Sequence, residues 1–168
     1  MNRQKIALIN GPFGAGKTTV ARYIASKDSN YQVCDWDEAT INDSPQLEKA
    51  ERTKTRLNNL LKLTLLKIKS NYSVIIPNTI TEYDIIDKIE MLAETHGVQF
   101  VHIVIELDED TCKERVESRS KKGSITDKTT LNTNKLLKAL YAKETTVHID
   151  LNDRVEDVYR KLSEYLRI

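Results

Sequence analysis

Proline, glycine and cysteine are all scarce in this chain of 168 residues: three, five and two respectively. With so few breakers there is no low-complexity linker, and no internal repeat is visible. A single domain over residues 1–168 is the expectation, and a chain of this length buries most of its apolar surface without staples. Cys34 and Cys112 stand far apart, with no CxxC spacing and no histidine cluster beside them. That pattern reads as buried or indifferent thiols in a reducing compartment. A surplus of one charge sign is also missing: 26 Lys and Arg face 25 Asp and Glu, for a net charge of +1. No overall positive field exists to draw in nucleic acid or anionic lipid, so neither is expected as a partner, although a local basic groove stays open. No apolar run reaches membrane-spanning length, and MNRQKIALIN is too short in apolar residues for a signal peptide. A cytoplasmic protein is expected.

What the sequence does contain is alternation. Short Val/Ile-rich runs predict strands over Lys5–Asn10, Tyr31–Cys34, Ser73–Ile76, Phe100–Leu107 and Thr146–Ile149. Their continuous apolar character suits strands buried on both faces. Helical patterns fill the gaps. One covers Thr18–Ser26. A second starts at Ser44-Pro45, a cap followed by proline at the first helical position, and runs through Leu57, Leu60, Leu61, Leu65 and Ile68. A third follows a capping-box pair, Thr81 and Asp84, and stops at Gly97. A shorter helix starts at Asp108 and carries Cys112 and Val116, and another covers Thr133–Tyr141. The last begins at Asp153, with Glu156 three residues on and a stripe of Val155, Val158, Tyr159, Leu162 and Leu166. Strand–helix alternation predicts an α/β fold with a parallel sheet and helices on both faces. Ligands of such sheets bind beyond the carboxyl ends of the strands, so residues just after each strand matter most.

The sharpest motif stands there. Gly11, Gly16, Lys17 and Thr18 fit G-x-x-x-x-G-K-[ST], after a predicted strand and before a predicted helix. Glycine permits backbone conformations that turn several N–H groups toward one anion, and the helix N-terminus adds partial positive charge. Gly11, Gly14, Ala15, Gly16, Lys17, Thr18 and Thr19 form the expected phosphate-binding set for a nucleoside triphosphate. Lys17 would reach the terminal phosphates and Thr18 would ligate Mg²⁺.

Cys34-Asp35-Trp36-Asp37-Glu38 follows the second strand. Alternate carboxylates on an extended segment face one site. Asp35 could hold the Mg²⁺ shell and Asp37 could take a proton from a hydroxyl attacking the γ-phosphate. The competing reading is an acidic turn capping the next helix. Trp36 either packs over a substrate or covers a sheet edge. Arg115 and Arg119, four apart, share a helix face ahead of Ser120–Lys128, a polar and basic stretch fit for a mobile lid. An arginine delivered by a closing lid neutralises the transferring oxygens; the alternative is a solvated face paired with Glu114 and Glu117. Among weaker candidates, His96 reads as a helix cap, and His102 and His148 as packed strand residues. Arg52 and Arg56 could reach an acidic substrate, and Asn78 and Thr79 hold a site-facing position.

In this order the elements resemble the small P-loop kinases, the fold shared by shikimate, gluconate and nucleoside monophosphate kinases. The resemblance spans nearly the whole chain. It implies a five-stranded parallel sheet in the order 2-3-1-4-5, a substrate-binding helical region near residues 38–70 and a lid near 115–130. Asp35-Trp36-Asp37 is similar to the paired-aspartate element of the shikimate-kinase-like group, which implies Asp35 near Mg²⁺ and Asp37 on the acceptor hydroxyl. Three stretches, Ile9–Thr18, Val74–Ile80 and Thr146–Asp150, resemble the tunicamycin-resistance proteins and imply an ATP-binding chain. Two departures stand out. No acidic residue follows the third strand, where Ile76-Pro77-Asn78 stands, leaving Mg²⁺ to Thr18 and Asp35. Leu131-Asn132-Thr133-Asn134-Lys135 lacks the arginine that several relatives carry after the lid. The leading expectation is an ATP- and Mg²⁺-dependent kinase of a small hydroxylated molecule, with antibiotic resistance as a candidate role and with Lys17, Asp37, Arg115 and Arg119 catalytic. The rivals are an ATP-binding protein that sequesters a drug or a nucleotide-sugar-like ligand, and a nucleic-acid-end kinase.

Overall fold

The computed structural model describes residues 3–36, 38–40, 48–107, 110–112, 114–115, 145–148 and 153–166. In chain order the elements are β1 (Lys5–Asn10), α1 (Lys17–Lys27), β2 (Tyr31–Val33), a 3-10 turn (Glu38–Thr40), α2 (Lys49–Lys69), β3 (Ser73–Pro77), α3 (Tyr83–Thr95), β4 (Gln99–Glu106), β5 (Thr145–His148) and α4 (Val155–Leu166). The five strands form one parallel sheet in the order β2-β3-β1-β4-β5. That is the order the kinase resemblance implies.

β1 lies at the centre, and all six of its residues are buried. Successive side chains point to opposite faces of a strand, so β1 feeds two cores. Ile6 and Leu8 join Val74 and Ile76 of β3 against Leu57, Leu60 and Ile68 of α2 and Ile85, Ile86 and Ile89 of α3. Ala7 and Ile9 join Ile75, Ile103 and Ile105 against Val20, Ala21 and Ile24 of α1 and Val158, Leu162 and Leu166 of α4. Helices therefore cover both faces, and the sheet is the middle of three layers. The apolar stripe foreseen for α4 is the one that packs.

Apart from α1, which begins one residue early at Lys17, three helix starts differ from the sequence reading. α2 begins at Lys49, with Glu48 at its cap position, rather than at Ser44-Pro45. The Thr81–Asp84 capping box does not form: α3 begins at Tyr83, Glu82 holds the cap position, and no side chain caps it. The Thr81 N–H instead meets Glu82 Oε2 at 3.2 Å. The cause lies upstream. Ile80 is tied through both its N–H and its carbonyl to the Asn10 side chain, which holds the chain extended past the point where the box would close. Similarly, α4 starts at Val155 rather than Asp153. Asp157 Oδ2, not Glu156, receives the Arg154 N–H at 3.3 Å, while Asp153 Oδ2 accepts Lys161 Nζ at 2.6 Å. Strand ends shift by a residue: β2 stops at Val33, β3 extends to Pro77, β4 runs Gln99–Glu106 and β5 begins at Thr145. Ser44, Pro45, Asp108, Val116, Ile149 and the helix expected over Thr133–Tyr141 lie outside the described residues.

Gly97 ends α3 as foreseen, in the left-handed conformation with φ of 68°. A Cβ there would meet nothing within 4 Å, so only the backbone resists substitution. Gly97→Ala is expected to cost about 1 kcal/mol, read as a fall of about 2–4 °C in a thermal melt.

Candidate functional site

The carboxyl end of β1 runs through the glycine loop into α1. Gly14, with φ of 84°, sits so close to the residues after β4 that a Cβ would lie 2.6 Å from the Cys112 carbonyl oxygen. The loop is thus seated directly on the helical residues 110–112. Gly16, with φ of 83°, occupies the cap position of α1, and a Cβ there would enter open space. Val20 is the first residue of α1 whose N–H finds an intrahelical carbonyl, Gly16 O at 3.0 Å. The N–H groups of Lys17, Thr18 and Thr19 precede it and have no carbonyl behind them in the helix. Ala15 is buried and its N–H turns back to Pro12 O at 3.3 Å; Thr18 is half-buried and Thr19 exposed. An open cradle, three forward-pointing N–H groups and a helix N-terminus are the donor set that phosphate requires.

Lys17 completes the set. Only 8% of it is exposed, and its ammonium donates to Gly11 O at 3.0 Å, Pro12 O at 2.8 Å and Thr79 Oγ1 at 2.8 Å. The Phe13 ring lies 5.9 Å from Nζ. Burial lowers the Lys17 pKa from 10.5 to about 8, and the acidic groups of Cys112 and Asp35 oppose that shift only in part. Asp35 is half-buried at the end of β2, in the turn where Asp35 O accepts the Glu38 N–H at 3.1 Å. The structure therefore brings Asp35 to the electrostatic neighbourhood of Lys17, as the strand-end rule anticipates. Thr79 is brought there as well. Asn78 is turned inward locally, its Oδ1 accepting the Thr79 N–H at 2.7 Å.

Arg115 is half-buried, one helical turn beyond Cys112 and hence on the segment that supports Gly14. Asp37, Arg119 and the stretch 116–130 lie outside the described residues. Trp36 packs against the α2–α3 core. Arg52 and Arg56 are half-buried on α2. His96 Nδ1 lies 3.0 Å from Leu92 O at the end of α3, in a capping position. His102 is buried in β4, and of His148 the strand backbone alone is described. Cys34 and Cys112 are buried and not joined in a disulfide, and burial pushes the Cys34 pKa up.

One residue of the site escaped the sequence reading. Asn10 is wholly buried at the end of β1. Its Nδ2 donates to Ile80 O at 2.8 Å, and its Oδ1 accepts from Ile80 N at 2.9 Å and from Gly11 N at 2.8 Å. One amide thereby welds the mouth of the phosphate loop to the segment after β3. The signal available was an amide closing an otherwise apolar strand, a position where a buried polar group must find partners.

Among the described residues, no cluster of three His, Cys, Asp or Glu side chains is arranged to hold a metal. A hydroxyl from Thr18 and a carboxylate from Asp35 suit Mg²⁺, which keeps several waters and leans on substrate phosphates rather than on an all-protein cage.

Solved structures share this architecture. The tunicamycin resistance protein of Deinococcus radiodurans superposes with a TM-score of 0.72 at 19% identity, covering 98% of this chain and 96% of its own. The gluconokinase of Sinorhizobium meliloti 1021 gives a TM-score of 0.68 at 16% identity, with 99% and 94% covered. The Mycobacterium tuberculosis APS kinase, solved with AMPPNP and APS, gives 0.66 at 18% identity over 100% of both chains. No curated protein sequence matches significantly. The family model described as AAA domain matches residues 6–144, from the first residues of β1 to the start of β5. With its sheet order, its glycine loop and that match, the chain belongs to the AAA domain family and has the P-loop kinase-like fold.

Proposed function

We propose that this protein is an ATP- and Mg²⁺-dependent kinase of a small hydroxylated molecule. The observation that carries the reading is the state of Lys17. Its ammonium is buried, yet it is bonded to two carbonyls and a hydroxyl rather than to a carboxylate. A buried cation among neutral acceptors is costly, and the cost is recovered when an anion seats beside it. The open cradle at Gly16 supplies the place for that anion.

In this reading Gly11, Gly14, Ala15, Gly16, Lys17, Thr18 and Thr19 carry the phosphates. Thr18 and Asp35 would hold Mg²⁺, which supplies neutralising charge on the phosphate oxygens. Asp37 accepts the acceptor's hydroxyl proton as that oxygen bonds to the γ-phosphorus. The bond from the γ-phosphorus to the β–γ bridging oxygen breaks, and ADP leaves with the electron pair. Lys17, Arg115 and Arg119 neutralise the transferring group, with residues 115–130 as a lid and residues 38–70 on the acceptor side. The APS kinase of the same fold binds AMPPNP and APS, a nucleotide together with a small substrate, and that supports this division of labour.

Asp37→Asn tests the reading. Transfer to a responsive acceptor, followed as ADP release, should fall about 10²-fold, the usual worth of a positioned base. AMPPNP affinity by calorimetry should stay within about twofold. Joint loss of both would make Asp37 a structural residue. The second reading, nucleotide-dependent sequestration without transfer, draws on Asn78 and Thr79 standing after β3 in place of a carboxylate. Tight AMPPNP binding with no phosphorylated product across an acceptor panel would decide in its favour.

A further inference from the structure

An ammonium has three N–H donors, and in Lys17 all three are in use. Two acceptors, Gly11 O and Pro12 O, are carbonyls built into the loop. The third, Thr79 Oγ1, belongs to a different strand end, 62 residues away in sequence. The single Thr79 hydroxyl proton goes to Gly11 O at 2.9 Å, so its lone pairs are turned to the ammonium. The backbone around Thr79 is fixed on both sides, by Asn78 Oδ1 on its own N–H and by Asn10 on Ile80. The hydroxyl is therefore held where it stands.

We propose that Thr79 is a positioning residue that latches Lys17 to the phosphate loop and is the acceptor Lys17 gives up when a nucleoside triphosphate seats. This deepens the nucleotide reading above and rests on it. A phosphate oxygen can be served only by freeing one of three occupied N–H bonds. The carbonyls of Gly11 and Pro12 cannot withdraw without rebuilding the loop. Thr79 can be abandoned, because its hydroxyl keeps Gly11 O as a partner afterwards. Exchanging a neutral hydroxyl for an anionic oxygen strengthens the bond. The latch thus stabilises the empty loop and weakens nucleotide binding by the same amount.

The test compares the unchanged full chain with Thr79→Val, which keeps the side-chain shape, and Thr79→Ser, which keeps the hydroxyl. At pH 6.5 with Mg²⁺, Thr79→Val should bind AMPPNP about tenfold more tightly, since only the empty state loses a hydrogen bond to a charged group. Thr79→Ser should match the unchanged protein. Thr79→Ala replaces Thr79→Val if the valine variant melts far below the unchanged protein. Weaker AMPPNP binding in the hydroxyl-free variant would overturn the latch and make Thr79 a ligand-holding residue. Unchanged affinity would overturn it as well. If the unchanged protein does not bind AMPPNP, latch and kinase reading fall together; binding without transfer removes only the kinase reading.

Discussion

Replacing Lys17 with methionine is expected to leave a protein that unfolds at a higher temperature and transfers phosphate far more slowly. Methionine is unbranched and only one heavy atom shorter, and it lacks the charge. The buried ammonium has a pKa of about 8 against an ordinary 10.5, and at about 1.4 kcal/mol per pH unit that places its cost near ~3 kcal/mol. Lost contacts to Gly11 O and Pro12 O offset part of the gain, so a net stabilisation of about 2 kcal/mol is expected at pH 7. The pH dependence identifies the cause. Between pH 8 and 10.5 the unfolded chain binds the lysine proton and the native chain does not, so the stability of the unchanged protein rises with pH there. Methionine does not titrate. Its advantage is therefore full below pH 8 and fades as pH approaches 10.5, which urea unfolding at pH 7 and pH 10 would measure. Transfer should fall about 10³-fold or more, the scale of losing a preorganised charge at a transferring phosphoryl group. A destabilised Lys17→Met variant would mean that the ammonium is a structural tie.

The second large effect belongs to Asn10. Asn10→Leu preserves bulk and removes the amide, leaving Ile80 N–H, Ile80 O and Gly11 N–H without the bonds they now make. Each buried polar group left unsatisfied costs about 1–3 kcal/mol. Allowing for local relaxation, the variant should lose about 4 kcal/mol, with a melting temperature lower by about 8–16 °C in calorimetry. Nucleotide affinity should fall with it, because this amide places Gly11 at the mouth of the phosphate loop. A loss under about 1 kcal/mol would show that water replaces the amide at no great cost.

These two residues also mark how far the sequence can be read. Lys17 was legible because everything that identifies it is local: a glycine turn, a strand behind it and a helix ahead. The strands were legible for a similar reason, since a strand buried on both faces is a continuous apolar run, as in Ile6–Ile9 and Val74–Ile76. Asn10 was not, because its role depends on Ile80, 70 residues away. The same long-range tie misled the reading of α3. Thr81 and Asp84 have the spacing of a capping box, but tertiary anchoring of Ile80 overrides a local preference of about 1 kcal/mol. Thr79 was legible only as a site-facing position, since its bond to Lys17 crosses from one strand end to another. Asp37 and Arg119, to which the proposed transfer assigns roles, lie outside the described residues.

The central place of β1 has a consequence for biosynthesis. Lys5 bonds to Ser73, 68 residues later, and the other neighbour of β1, strand β4, comes later still. At about 5–20 residues per second, a ribosome needs roughly 3–14 s to supply the first partner. For that interval a strand whose six residues are all destined for burial is made but unpaired, so the nascent chain should be an early client of ribosome-associated chaperones.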